Sequence, residues 1–76
     1  MINFRNLILE TEFKIILMKN RINIVNYQNI IEIKDKYIEV DYTGGKVIIE
    51  GRNMSLQKML NDEILLTGKI ENVKFI

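Results

Sequence analysis

Few residues in this 76-residue chain have the type and spacing that chemistry needs. Gly44-Gly45-Lys46 resembles a fragment of a phosphate loop, in which glycines let backbone N–H groups close on a phosphate and a lysine neutralises it. The glycine spacing that should precede it is missing, and a hairpin strand follows where a helix is required. Ser55 is the only serine, and with no His or Cys in the chain it has no ordinary triad partner. Asp62 and Glu63 are adjacent, so on a strand they point in opposite directions and read as turn and surface. Glu32, Glu39 and Glu50 fall on neighbouring strands, and three aligned carboxylates offer oxygens to a hard cation such as calcium. A flat strand surface seldom converges enough oxygens on one point, so a solvated face with compensating bases is the better reading. The expectation is therefore no enzyme, no cofactor and no metal.

Composition narrows the classes further. The length allows one domain with a marginal core, for which self-association is a natural source of extra burial. Without Cys no disulfide or thiolate site staples it. Eleven basic and ten acidic residues are interspersed and leave a net charge of +1. The densest basic group is Lys14, Lys19 and Arg21, not the stripe a nucleic-acid binder shows, so nucleic acid is not the expected partner. The apolar runs Leu7–Leu9 and Ile15–Met18 are too short for a signal-peptide core or for the roughly 20 residues of a spanning helix, which fits a cytoplasmic protein.

The elements that must position these residues read as strands. From Phe13 onward apolar residues alternate with polar ones: Ile22 and Ile24, Ile31 and Ile33, then Ile38, Val40 and Tyr42. Turn-rich gaps (KN, KDK, TGG, GRN and ND) separate the runs. The fold class is all-β: a small antiparallel meander of about six to eight short strands forming a sandwich, roll or partly closed barrel. A type I′ turn at Gly44-Gly45 would set Tyr42 opposite Val47, Val40 opposite Ile49 and Ile38 opposite Gly51. A turn at Asp35-Lys36 would set Ile33 opposite Ile38 and Ile31 opposite Val40. That register aligns Glu32, Glu39 and Glu50, with Lys34 and Arg52 on the diagonals of Glu39.

Met54, Leu56, Met59 and Leu60 fit either a bending strand or one helical turn after Ser55. Gly51 reads as a strand-end glycine, and Gly68 inside a strand suggests a bulge or a close backbone crossing. Phe13 and Tyr42 fall at core positions, while Tyr27 and Tyr37 sit near turns. Residues 1–12 form a lead-in, as a short helix or frayed strand, and 13–76 form the single all-β domain.

The stretch from Phe13 to Ile76 resembles the YabP/YqfC family of sporulation proteins. The resemblance rests on Asn26-Tyr27 before Ile30, and on Ile38-x-Val40 before the glycine turn. It continues through Ile49-x-Gly51-x-Asn53-x-x-Leu56 and closes with Leu66-x-Gly68-x-Ile70. Met54 departs from the leucine expected there, and the first residues are additional. The resemblance implies a structural or accessory protein of spore cortex and coat formation. It would act in the mother-cell cytoplasm, in association with the forespore surface, beside a membrane sporulation protein. No catalytic residues are attached to the family.

Edges supply the remaining expectation. The stretches Phe13–Met18 and Lys69–Ile76 look short of cover, so a homo-oligomer is expected through Phe13, Ile16, Met18, Val73 and Phe75. Lys14 and Lys74 could instead keep an edge monomeric. A different class remains open, a β-domain binding nucleic acid or a polar ligand through Lys14, Lys19, Arg21 and Arg52.

Overall fold

The computed structural model describes residues 12–76; the expected lead-in lies outside them except for Glu12. Six strands follow in order: β1 (Lys14–Met18), β2 (Arg21–Val25), β3 (Asn29–Ile33), β4 (Tyr37–Tyr42), β5 (Gly45–Met59) and β6 (Glu63–Phe75). They form one antiparallel sheet in the order β1-β2-β6-β5-β4-β3, so the all-β expectation holds. The sheet is open, with β1 and β3 at its margins. The chain leaves the meander order once, where β3 follows β2 in sequence but lies at the far margin. Of the two readings for the segment after Ser55 the strand is correct, because β5 continues through it to Met59.

Two long strands organise everything else. β5 has 15 residues and β6 has 13. β4 covers only the first half of β5, from Tyr42↔Gly45 to Tyr37↔Glu50. β2 covers only the first half of β6, from Val25↔Glu63 to Arg21↔Thr67. The long hairpin therefore carries one short hairpin on each side, at opposite ends. Between them the ladder steps from Arg52↔Lys69 to Ser55↔Thr67, so Asn53 and Met54 together oppose Gly68. Asn53 has φ 54° and Gly68 has φ 134°. Further bulges fall at Gln57 and Glu71. Each extra residue bends its strand and sharpens the twist, and the sheet folds over on itself here.

Burial shows the result. Ile22, Ile24, Ile64 and Leu66 on the β1–β2 layer, and Ile38, Val40, Val47 and Ile49 on the β3–β4 layer, are fully buried and share one cluster with Met54. An open sheet shields an apolar face this completely only when its other half lies on top. The tips of the short hairpins fasten the corner. Gly51 N–H and Met54 N–H donate to the Lys36 and Asp35 carbonyls (3.1 and 2.9 Å), and Gly68 N–H donates to the Asn20 carbonyl (3.0 Å).

Two registers differ from expectation. The β4–β5 turn is Thr43-Gly44, not Gly44-Gly45, so Val40 faces Val47 and Ile38 faces Ile49. A shift of two residues keeps the same side chains on the core face, which is why alternation cannot choose between the turns. Gly45 is claimed by a close approach instead, since a Cβ there would run into the Ile76 carbonyl. Ile76 N–H donates to the Lys46 carbonyl at 2.8 Å beside it. Of the four glycines, Gly44 lies in the turn, whereas Gly45 and Gly51 lie within β5, and Gly68 lies inside β6 opposite a bulge, at a close backbone crossing. In the β3–β4 hairpin Ile33 faces Ile38 as expected, but a bulge at Ile31 brings Ile30 opposite Val40 and leaves Ile31 51% exposed.

Candidate interaction surface

The outer faces of the two layers differ in chemistry. On the β3–β4 layer, charged side chains alternate with the core residues of the same strands. Glu39 accepts from Tyr37 Oη at 2.7 Å and pairs with Lys46 Nζ at 3.3 Å. Glu32 pairs with Lys34 at 3.2 Å. Glu50 pairs with Lys74 at 3.3 Å and accepts from Asn72 Nδ2 at 3.2 Å. The expected three-carboxylate row is not formed: Glu39 faces Glu32 and Ile48, while Glu50 faces Tyr37. Nor do the expected bases serve Glu39, since Lys34 takes Glu32 and Arg52 takes Glu71 at 3.0 Å. Among the described residues no group of three or more acidic side chains is placed to hold a metal ion.

The hydrogen bond to Glu39 is the main cause that pushes the Tyr37 phenol up to about 12, with burial and the charges of Glu39, Glu32 and Glu50 adding to it. The same bond, then Lys46, holds the Glu39 carboxyl below its ordinary value. Exposed pairs of this kind contribute little stability, but they keep this face wet and self-satisfied.

The β1–β2 layer presents a different surface. Its outer face runs Ile16↔Asn23↔Leu65↔Lys58 across four strands. Asn23 Nδ2 donates to Glu63 Oε1 at 3.1 Å, while its Oδ1 is buried without a donor. At one margin β1 exposes Ile16, Leu17 and Met18 by 42, 58 and 39%. At the other, the end of β5 exposes Leu56 and Met59, followed by Leu60, by 39, 51 and 48%. Among the described residues neither margin has a strand beside it: β1 ends the sheet, and β4 stops opposite Glu50. Most of the large apolar side chains exposed among the described residues thus line the two margins of one layer.

The residues expected to mediate self-association divide accordingly. Phe13 stacks on Tyr42 with ring centres 4.1 Å apart and planes 5° apart. Phe75 meets both rings edge-on, at 6.4 and 6.2 Å. Phe13 and Tyr42 are half-buried in this aromatic clasp, Phe75 closes it from the outside and stays 61% exposed, and Val73 packs half-buried against the core. Ile16 and Met18 alone of that set lie on the apolar margin. Leu17, Leu56, Met59 and Leu60 join them there. Leu17 was legible in the apolar run Ile15–Met18, whereas Leu56, Met59 and Leu60 suit helical and strand spacing equally. Of the four bases read as a ligand surface, Arg52 pairs with Glu71 at 3.0 Å.

These features define a class, that of small all-β proteins whose single open sheet folds into two layers and leaves apolar margins unpaired. The family can be stated more closely. The YabP family model matches residues 10–76, and this chain belongs to the YabP family. Membership points to a sporulation-related role. No curated protein and no solved structure matches the chain. Among the described residues no helix is long and apolar enough to cross a membrane.

Proposed function

We propose that this protein is a non-enzymatic structural component of endospore formation that works by self-association, and through it serves cortex and coat assembly. The unpaired apolar margins of the β1–β2 layer carry this reading, because a backbone edge flanked by Ile16, Leu17 and Met18 gains from a neighbour. The paired charges of the β3–β4 face supply a wet surface opposite it. A membrane protein of the mother cell is the second partner we assign, on family membership, and the cytoplasm facing the forespore is the place where both would meet.

The test is deletion of the gene in the source organism, with complementation by the wild-type chain and by an Ile16→Lys variant at equal abundance. Deletion should yield spores with a defective cortex or coat, repaired by the wild type and not by the variant. Normal sporulation and a normal envelope after deletion would refute the role.

A further inference from the structure

We propose that β1 is a symmetric docking edge for a second copy of this chain, with Ile16 on the two-fold axis opposite Ile16 of that copy. This specifies the self-association proposed above and rests on it. Whatever covers β1 must be an extended strand, because the edge offers directional backbone groups. The two-residue turn Lys19-Asn20 makes Met18↔Arg21 the closing pair, so Lys14, Ile16 and Met18 aim their N–H and C=O groups at β2. Ile15 and Leu17 aim theirs outward, where none of the described strands lies.

A second β1 laid antiparallel in the centred register uses those outward groups in full. Ile15 faces Leu17 of the other copy and Leu17 faces its Ile15, as the hydrogen-bonded pairs. Ile16 faces Ile16, and Lys14 faces Met18. No like charges are opposed, which would be destabilising, and the two Lys14 side chains stand at opposite ends of the ribbon.

Comparison with the other open backbone singles β1 out. β3 is bulged at Ile31 and carries Glu32. The free end of β5 is bulged at Gln57 and carries Lys58. The free end of β6 is bulged at Glu71 and carries Lys69 and Lys74. Bulges and charges are the devices that keep edges from pairing. β1 has a regular ladder throughout, and its four residues after Lys14 are all apolar. It is also too apolar to suit a charged partner strand.

The chain contains no cysteine, so single cysteines report the register without background. A non-hydrogen-bonded antiparallel pair has Cα atoms about 4.5 Å apart, within disulfide reach. In this register Ile16→Cys meets its own copy, whereas Lys14→Cys or Met18→Cys meets its copy about 13 Å away along the strand. All three side chains are exposed, and retained β-sheet circular dichroism confirms the fold. Under mild oxidation Ile16→Cys should cross-link about tenfold faster than either other variant alone, as a raised effective concentration requires. A mixture of Lys14→Cys with Met18→Cys should recover that rate and give only the mixed dimer.

Equal rates for all variants, or none above that of a cysteine placed at exposed Lys36, would overturn the proposal. The second result would also follow if residues 1–11 or an unrelated partner covered the edge. The two proposals separate cleanly. A register-specific cross-link beside a deletion without phenotype would sink the sporulation role and leave the interface, and the converse pair of results would do the reverse.

Discussion

Replacing Gly68 with alanine is expected to destabilise the fold by about 3 kcal/mol or more, from backbone strain of roughly 1–3 kcal/mol and overpacking of similar size. Gly68 has φ 134°, a conformation that side chains rarely adopt. A Cβ there would lie 2.7 Å from Met54 Cα and 2.8 Å from the Asn53 carbonyl oxygen. Both neighbours are backbone, so no rotamer change relieves the clash. The position is also the corner where the sheet folds, and moving it pulls the two layers apart. Gly44→Ala is the control: φ is 129° there, but the nearest atom is Tyr42 Cε2 at 3.6 Å. Its cost should be about 1 kcal/mol, the conformational part alone. Urea unfolding followed by circular dichroism measures both, and equal midpoints for the two variants would show that the corner yields easily.

Ile38→Ala should cost about 2–5 kcal/mol, the range for truncating a large aliphatic side chain in a core. Ile38 is fully buried, beside Ile49 on the neighbouring strand. Ile31→Ala should change stability by no more than about 0.5 kcal/mol, as at an ordinary surface site. The pair is informative because both isoleucines occupy apolar positions of the alternating pattern, and only the bulge in β3 separates them. A loss at Ile31 comparable to that at Ile38 would mean the strand pairs without its bulge and buries Ile31.

That comparison shows what the residues reveal and what they withhold. Ile22, Ile24, Ile38, Val40, Val47 and Ile49 alternate with polar or outward-facing residues along their strands, and period two alone places them inside. Ile31 has the same local signal, but a bulge is a property of the pairing, and one strand's composition does not report it. Gly44-Gly45 illustrates a second limit. Either adjacent turn preserves the apolar face, and the choice is made by the Ile76 carbonyl, packed against Gly45 from more than thirty residues away in sequence.

Gly51-Arg52-Asn53 illustrates a third. Its composition is that of a turn, and its positive φ at Asn53 is real, yet β6 runs alongside and holds the segment in a strand as a corner. The candidate surface divides in the same way. Ile16 and Met18 stand out because their run is apolar in both phases. Phe13 and Phe75 carry the same apolar signal but meet Tyr42 within the chain, a contact that only the folded topology creates.

The central claim is that this chain associates with itself through β1, and the mass of the full chain in solution tests it most directly. Light scattering on the protein as it leaves a size-exclusion column should give twice the chain mass for the wild type. Ile16→Lys should give the mass of one chain with β-sheet circular dichroism intact, because it sets two ammonium groups against each other across the axis. Ile16 is 42% exposed, so the substitution does not place a charge in the core. A wild-type mass of one chain throughout the micromolar range would contradict the account.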